Sequence, residues 1–189
     1  WESKMRVISD DKYKEYSVLM SVYYKEKPEY LNQAIESIQT QTLSTNNFVL
    51  VCDGPLTPEL DAIINVKQHE MGDSLNVVRL AKNGGLGNAL NEGIKHCKNE
   101  LVARMDSDDI AYPDRCERQI NVFNTHPNVS ICSGIVEEFV ASPEVVEVKR
   151  VPPEVHEEIV KFAKKRNPFN HPCVMYKKCA VEAVGSYQD

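Results

Sequence analysis

Short apolar runs alternate along this chain with stretches in which apolar residues recur every three or four positions. "YSVLMSV" (Tyr16 to Val22) reads as a buried strand. Behind it, "PEYLNQAIESIQTQ" places Leu31, Ala34, Ile35 and Ile38 on one helical face, with Pro28 in the first turn. "FVLVCD" and "TPELDAIINVKQHE" repeat the pair: Thr57 is placed to cap the helix, Pro58 to begin it, and Leu60, Ile63 and Ile64 to face inward. "LNVVRL" with "GLGNALNEGIKHC", and "ELVARMD" with "YPDRCERQINVFNTHP", complete four rounds, the last helix burying Cys116, Ile120 and Phe123. Such alternation predicts an α/β domain with a mixed, mostly parallel sheet, helices on its faces and right-handed crossovers.

Past Pro127 the rhythm changes. "NVSICSGIVEEFV" and "EVVEVKRV" read as adjacent, antiparallel strands and "PEVHEEIVKFAKK" as a helix. The expected organisation is a polar extension over 1–15, a first half over 16–127 and a second over 128–189, within one compact domain. A chain that begins at Trp1 and closes on "GSYQD" is expected to be a piece of a longer protein.

Composition narrows the function. The net charge of −6, with Lys and Arg scattered, argues against nucleic acid as a partner. No apolar run is long enough to span a bilayer, and the first residues are too polar for a signal peptide. The six cysteines show no C-x-x-C spacing and fall mostly among apolar residues, so they read as reduced core thiols of a cytosolic protein. No two of the five histidines have zinc-site spacing.

Ligands of open α/β sheets bind beyond the carboxyl ends of the strands. Polar, flexible residues recur at all four: Ser21-Val22-Tyr23, Asp53-Gly54, Lys82-Asn83-Gly84-Gly85 and Asp106-Ser107-Asp108-Asp109. Asp53-Gly54-Pro55 can be a simple turn, and the glycine run either a phosphate cradle opening a helix or a site of close helix–sheet packing. The acidic cluster asks for more. Close carboxylates repel by about 1 kcal/mol or more per pair at an effective dielectric constant of about 20. Asp109 or Asp114 could cap the next helix, but a cap needs one carboxylate. A hard divalent cation, Mg²⁺ or Mn²⁺, shared with the phosphates of a ligand accounts for the cluster; a solvated acidic turn is the other possibility.

Taken in order, "SVLMSVYYKEKPEYLNQAIESIQTQT", "VLVCDGP", "LAKNGGLGNALNEGI", "ARMDSDDIAYPDR" and "NPFNHPCVMYKKCAVEAVGSY" resemble the family 2 glycosyltransferases of the GT-A fold, from about Tyr16 to Tyr187. The resemblance implies an inverting transfer of a sugar from a nucleoside-diphosphate sugar, UDP being the common case, to a glycan or lipid-linked saccharide in polysaccharide or cell-envelope synthesis. It places Ser21 and Tyr23 around the nucleoside, Asp53 on the base, and Asn83 and Gly85 along the nucleotide and sugar. Asp106 goes to ribose, donor sugar and metal, and Asp108 to the metal on the diphosphate. Asp109 and Arg115 become supporting or sugar contacts, and His171 stands near the donor–acceptor junction. The implied location is cytoplasmic, at the inner face of the membrane, with peripheral attachment through parts not in this sequence.

Two departures from the family pattern stand out: Cys52-Asp53 where two Asp are usual, and Tyr24 where Asn is frequent. The family's general base is expected beyond "GSY", and Asp189 comes too early to be that base. A non-catalytic nucleotide-sugar-binding module is the alternative. A sugar-phosphate nucleotidyltransferase fits less well, because "SVYYKEK" lacks the Gly-rich loop such an enzyme needs after its first strand.

Overall fold

The computed structural model describes residues 12–140 and 142–188, so most of the polar extension and Asp189 lie outside the described residues. Strands β1 (Ser17–Val22), β2 (Asn47–Cys52), β3 (Leu75–Arg79) and β4 (Leu101–Asp106) alternate with helices α1 (Pro28–Gln39), α2 (Pro58–Met71) and α3 (Leu86–Ile94). Helix α4 (Arg115–Thr125) closes this half. Beyond it come β5 (Ile131–Cys132), β6 (Val136–Phe139), β7 (Val146–Arg150), α5 (His156–Ala163), β8 (Met175–Lys177) and α6 (Lys178–Ala183).

The main sheet has six strands in the order β3-β2-β1-β4-β8-β5. β1 pairs in parallel with both β2 and β4, β2 in parallel with β3, and β8 runs antiparallel to β4 and β5. The central strands are largely apolar, Arg104 of β4 being the buried charged exception, because both of their faces are covered. Val18, Met20, Phe48 and Leu50 pack with Leu31, Ile35, Leu60, Ile64, Ile120 and Phe123 of α1, α2 and α4. Leu19, Val49, Val51 and Val102 pack on the other face with Ala89, Leu90 and Ile94 of α3. The Thr57 side chain accepts from the Leu60 N–H at 3.3 Å, as the capping pattern predicts.

The chain builds outward from β1 to β2 and β3, then returns to the other side of β1 to lay down β4. That reversal is the topological switch point of the sheet, where crevices for ligands open. Its register sets Ser21 opposite Asp106.

The second half is built differently. β8 and β5 extend the main sheet, whereas β6 and β7 form a separate antiparallel hairpin, joined by ion pairs from Lys149 to Glu137 and from Arg150 to Glu138, each 2.5 Å. No described residue from Asn124 to Cys173 is buried. The core-thiol reading holds for Cys52, Cys97 and Cys116. Cys132 and Cys173 are half-buried, and Cys179 is exposed because α6 buries none of its residues; all six are free thiols.

Candidate functional site

β4 carries Asp106 to the carboxyl edge of the sheet, and the turn behind it adds Asp108 and Asp109. One ligand oxygen from each of these three carboxylates lies within 4.8 Å of the others. They open into a cleft of about 700 Å³, walled on its far side by the β6–β7 hairpin and by the segment holding Asn170 and His171. Ser107 donates to Glu26 at 2.6 Å, so the loop after β1 is pinned to the acidic turn.

Negative charge is in surplus here. Burial, followed by the charges of Asp106 and Asp108, pushes the Asp109 carboxyl up to about 6. Burial, then Glu26 and Asp106, raises Asp108 as well. Across the cleft, burial and then the nearby Arg104 push His171 down to about 4, so its imidazole is neutral at pH 7. An all-oxygen donor set with unspent negative charge suits a hard divalent cation, and Asp106, Asp108 and Asp109 are the residues present to hold one.

Asp53 behaves in the opposite way. It is 5% exposed, and its two oxygens accept from the backbone N–H groups of Gly84 at 2.8 Å and Gly85 at 3.0 Å. Asn83 adds a bond from its side-chain amide to the Asp53 carbonyl at 3.2 Å. The glycine run is therefore not an open phosphate cradle at these two positions, since Asp53 already occupies their N–H groups. Glycine is required on both sides of this clamp. Gly54 has φ +86° and a Cβ there would stand 2.5 Å from the Asn83 nitrogen, while Gly85, at φ +88°, precedes α3.

The remaining expected residues divide by location. Ser21 is half-buried beside Asp106, and Tyr23 is 43% exposed with its ring edge-on to Tyr24. Ser21, Tyr23, Asp53, Asn83 and Gly85 are not among the residues lining the cleft, whereas Asp106, Asp108, Asp109 and His171 are. Arg115 turns to the protein interior, donating to the carbonyls of Arg104 at 2.6 Å and Val174 at 3.3 Å. Asp109 is not a helix cap. Helix α4 begins at Arg115, its N-cap position is Asp114, and the Asp114 carboxylate makes no cap bond but pairs with Arg118 at 2.7 Å. The sequence reading missed Arg104, a buried cation that bonds Asp106, and Glu26. An arginine inside the otherwise apolar strand of "ELVARMD" was the visible signal for the first.

The family model described as glycosyl transferase family 2 matches residues 17–184. An uncharacterized glycosyltransferase of Haemophilus influenzae is 43% identical over 174 residues, 92% of this chain and 64% of that protein. The amylovoran biosynthesis glycosyltransferase AmsE of Erwinia amylovora is 44% identical over 173 residues, with the same two shares. An Escherichia coli UDP-Gal:alpha-D-GlcNAc-diphosphoundecaprenol beta-1,3-galactosyltransferase is 39% identical over 181 residues, 95% of this chain and 64% of that protein. The chain thus spans about two thirds of the length of these relatives.

Among solved structures, a mannosyltransferase from Pyrobaculum calidifontis in complex with GDP-Man and Mn²⁺ shares the fold with a TM-score of 0.68 at 17% identity, over 95% of this chain and 49% of that one. S. aureus TarS 1-349 in complex with UDP-GlcNAc does so with a TM-score of 0.67 at 19% identity, over 93% and 48%. The mostly parallel sheet is the fold shared with these structures, and the family match covers nearly all of the chain: the chain belongs to glycosyl transferase family 2.

Proposed function

We propose that this chain binds a nucleoside-diphosphate sugar, with UDP as the nucleotide, together with Mg²⁺ or Mn²⁺, and forms the donor side of an inverting transfer to a glycan or lipid-linked saccharide. The observation that carries this reading is the convergence of Asp106, Asp108 and Asp109 within 4.8 Å on the cleft at the sheet's switch point. A relative whose name describes a UDP-Gal donor and a diphosphoundecaprenol-linked acceptor, and fold neighbours in complex with nucleotide sugars and Mn²⁺, support it.

In this reading 16–127 is the donor half and 128–189 begins the acceptor side, with the transfer taking place at the cytoplasmic face of a membrane. Ser21 and Tyr23 flank the nucleoside. Asp53 fixes the loop of Asn83 and Gly85 and meets the base through lone pairs its two backbone bonds leave free. Asp106 accepts from ribose or sugar hydroxyls and shares the cation with Asp108. A cation held there would neutralise charge on the departing diphosphate. His171, neutral at pH 7, can accept or donate one hydrogen bond at the junction with the acceptor without adding charge. No described residue is assigned as the general base.

Calorimetry with UDP, with and without Mn²⁺, tests this. Metal-dependent binding that Asp108→Ala abolishes is the expected result. Equal binding by that variant in the presence of Mn²⁺ removes Asp108 from the site, and no binding by the unaltered chain removes the donor-site reading.

A further inference from the structure

Arg104 is the largest fully buried side chain among the described residues, at 1% exposure. It lies in a strand whose other interior residues, Leu101, Val102, Ala103 and Met105, are all apolar and buried. One of its terminal nitrogens bonds Asp106, the only carboxylate it pairs with among the described residues. Its Nε and its other terminal nitrogen have no partner among the described residues. Asp106 itself keeps 36% of its side chain exposed toward the cleft.

As a contribution to stability this arrangement is poor. Desolvating a guanidinium costs several kcal/mol, one half-exposed carboxylate offsets only part of that, and an apolar residue would fill the position better. Its placement explains the cost. Side chains two residues apart on a strand share a face, so Arg104 approaches the Asp106 carboxylate from the sheet interior while the cleft lies beyond it. The backbone of Arg104 is itself fixed on both sides: its N–H donates to Val174 at 2.9 Å, and its carbonyl accepts from Arg115 at 2.6 Å. The same positive charge helps hold His171 neutral. The Arg104 side chain itself does not open to solvent as a ligand contact would.

We propose that Arg104 is the positioning residue of the donor site: it locks the Asp106 carboxylate into one orientation and offsets part of the cluster's charge, so that Asp106 presents its free lone pairs to the ligand. Arg115, by gripping the Arg104 carbonyl, makes the anchor rigid. This inference rests on the donor-site reading above. Groups that orient a ligating residue are typically worth 10- to 100-fold in affinity, which sets the scale of the effect.

The test is Mn²⁺-dependent UDP affinity by calorimetry for Arg104→Gln, Asp106→Asn and the double variant, with circular dichroism and thermal melting to establish that each is folded. The expected result is a loss of about tenfold in each single variant and no further loss in the double, because both changes remove the same held carboxylate. Arg104→Lys, which keeps the charge but not the fork, should recover part of the loss. Should Arg104→Gln not fold, Arg104→Lys decides: a loss of about threefold or more in a folded protein supports the role, and unchanged affinity overturns it. Losses that multiply in the double variant, or a folded Arg104→Gln with unaltered affinity, also overturn it. A merely structural role would lower the melting temperature and leave the affinity of the folded protein intact. Failure of the unaltered chain to bind UDP at all would instead strike the donor-site reading and this inference with it.

Discussion

Two acidic corners stand at the carboxyl edge of one sheet and handle their charge in opposite ways. At the end of β2, Asp53 is buried and both of its oxygens are taken by backbone N–H groups of the loop that opens α3. At the end of β4, Asp106 has a single buried arginine, while burial and like charge raise Asp108 and Asp109. The first corner is finished by the fold itself. The second has charge left over, and that imbalance is what the proposed cation and diphosphate would offset. Negative charge near a glycine-rich loop is therefore not evidence of a ligand until its partners have been counted.

The largest expected effect is on the finished corner. Asp53→Ala removes two charge-assisted bonds and strands two backbone donors, so chemical denaturation should show a loss of about 3 kcal/mol; a loss below about 1 kcal/mol would erase the contrast. Asp106→Asn comes next, at about 2 kcal/mol, because it leaves buried Arg104 without its anion, the part exposure of Asp106 moderating the figure. Asp108→Asn, with no buried partner among the described residues, should cost little by comparison.

Gly85→Ala should cost about 1.5 kcal/mol. Nothing lies within 4 Å of the added Cβ, so the penalty is conformational alone, from φ +88° and ψ 165°. Because the Asp53 clamp needs that conformation, the variant should also speed exchange of the two clamp amides, at positions 84 and 85.

The smallest effect should have the opposite sign. Asp109→Asn in metal-free protein should gain about 1 kcal/mol at pH 7 after solvent screening. The Asp109 carboxyl titrates near 6 in the folded protein, above its ordinary range, so its ionised form is a cost fully present above that pH. As pH falls from about 6 to about 4 the folded state takes up the proton first, the cost is relieved, and the advantage of Asn should vanish. Adding Mn²⁺ and UDP should reverse the order of stability at pH 7. A variant no more stable than the unaltered chain at pH 7 would mean that the second corner is already balanced.

Much of this was legible in the residues, unevenly along the chain. β1, β2 and β4 announce themselves because strands covered on both faces are largely apolar, and Leu31, Ile35 and Ile38, or Leu60 and Ile64, show the helical period because only one face of α1 or α2 meets the sheet. Beyond Pro127 the same method reads strands and a helix but not their assembly. The two-residue β5 joins the main sheet and the longer β6 and β7 do not, a choice made by long-range pairing with β8. The exposure of Cys179 was equally hidden, because a thiol beside apolar neighbours is buried only if something packs on that face.

What the sequence by itself determined was the alternation of strand and helix, the family, and the carboxylates that stand where strands end, since each depends on neighbours within a few residues. The partners of those carboxylates were decided by the tertiary structure. Asp53 meets Gly84 and Gly85 from some thirty residues away, and Arg104, read along the chain as one more strand position, becomes the counter-ion of Asp106 only because the sheet and its covering layers shut water away from it. Burial sets the worth of a charge, and burial belongs to the assembled fold.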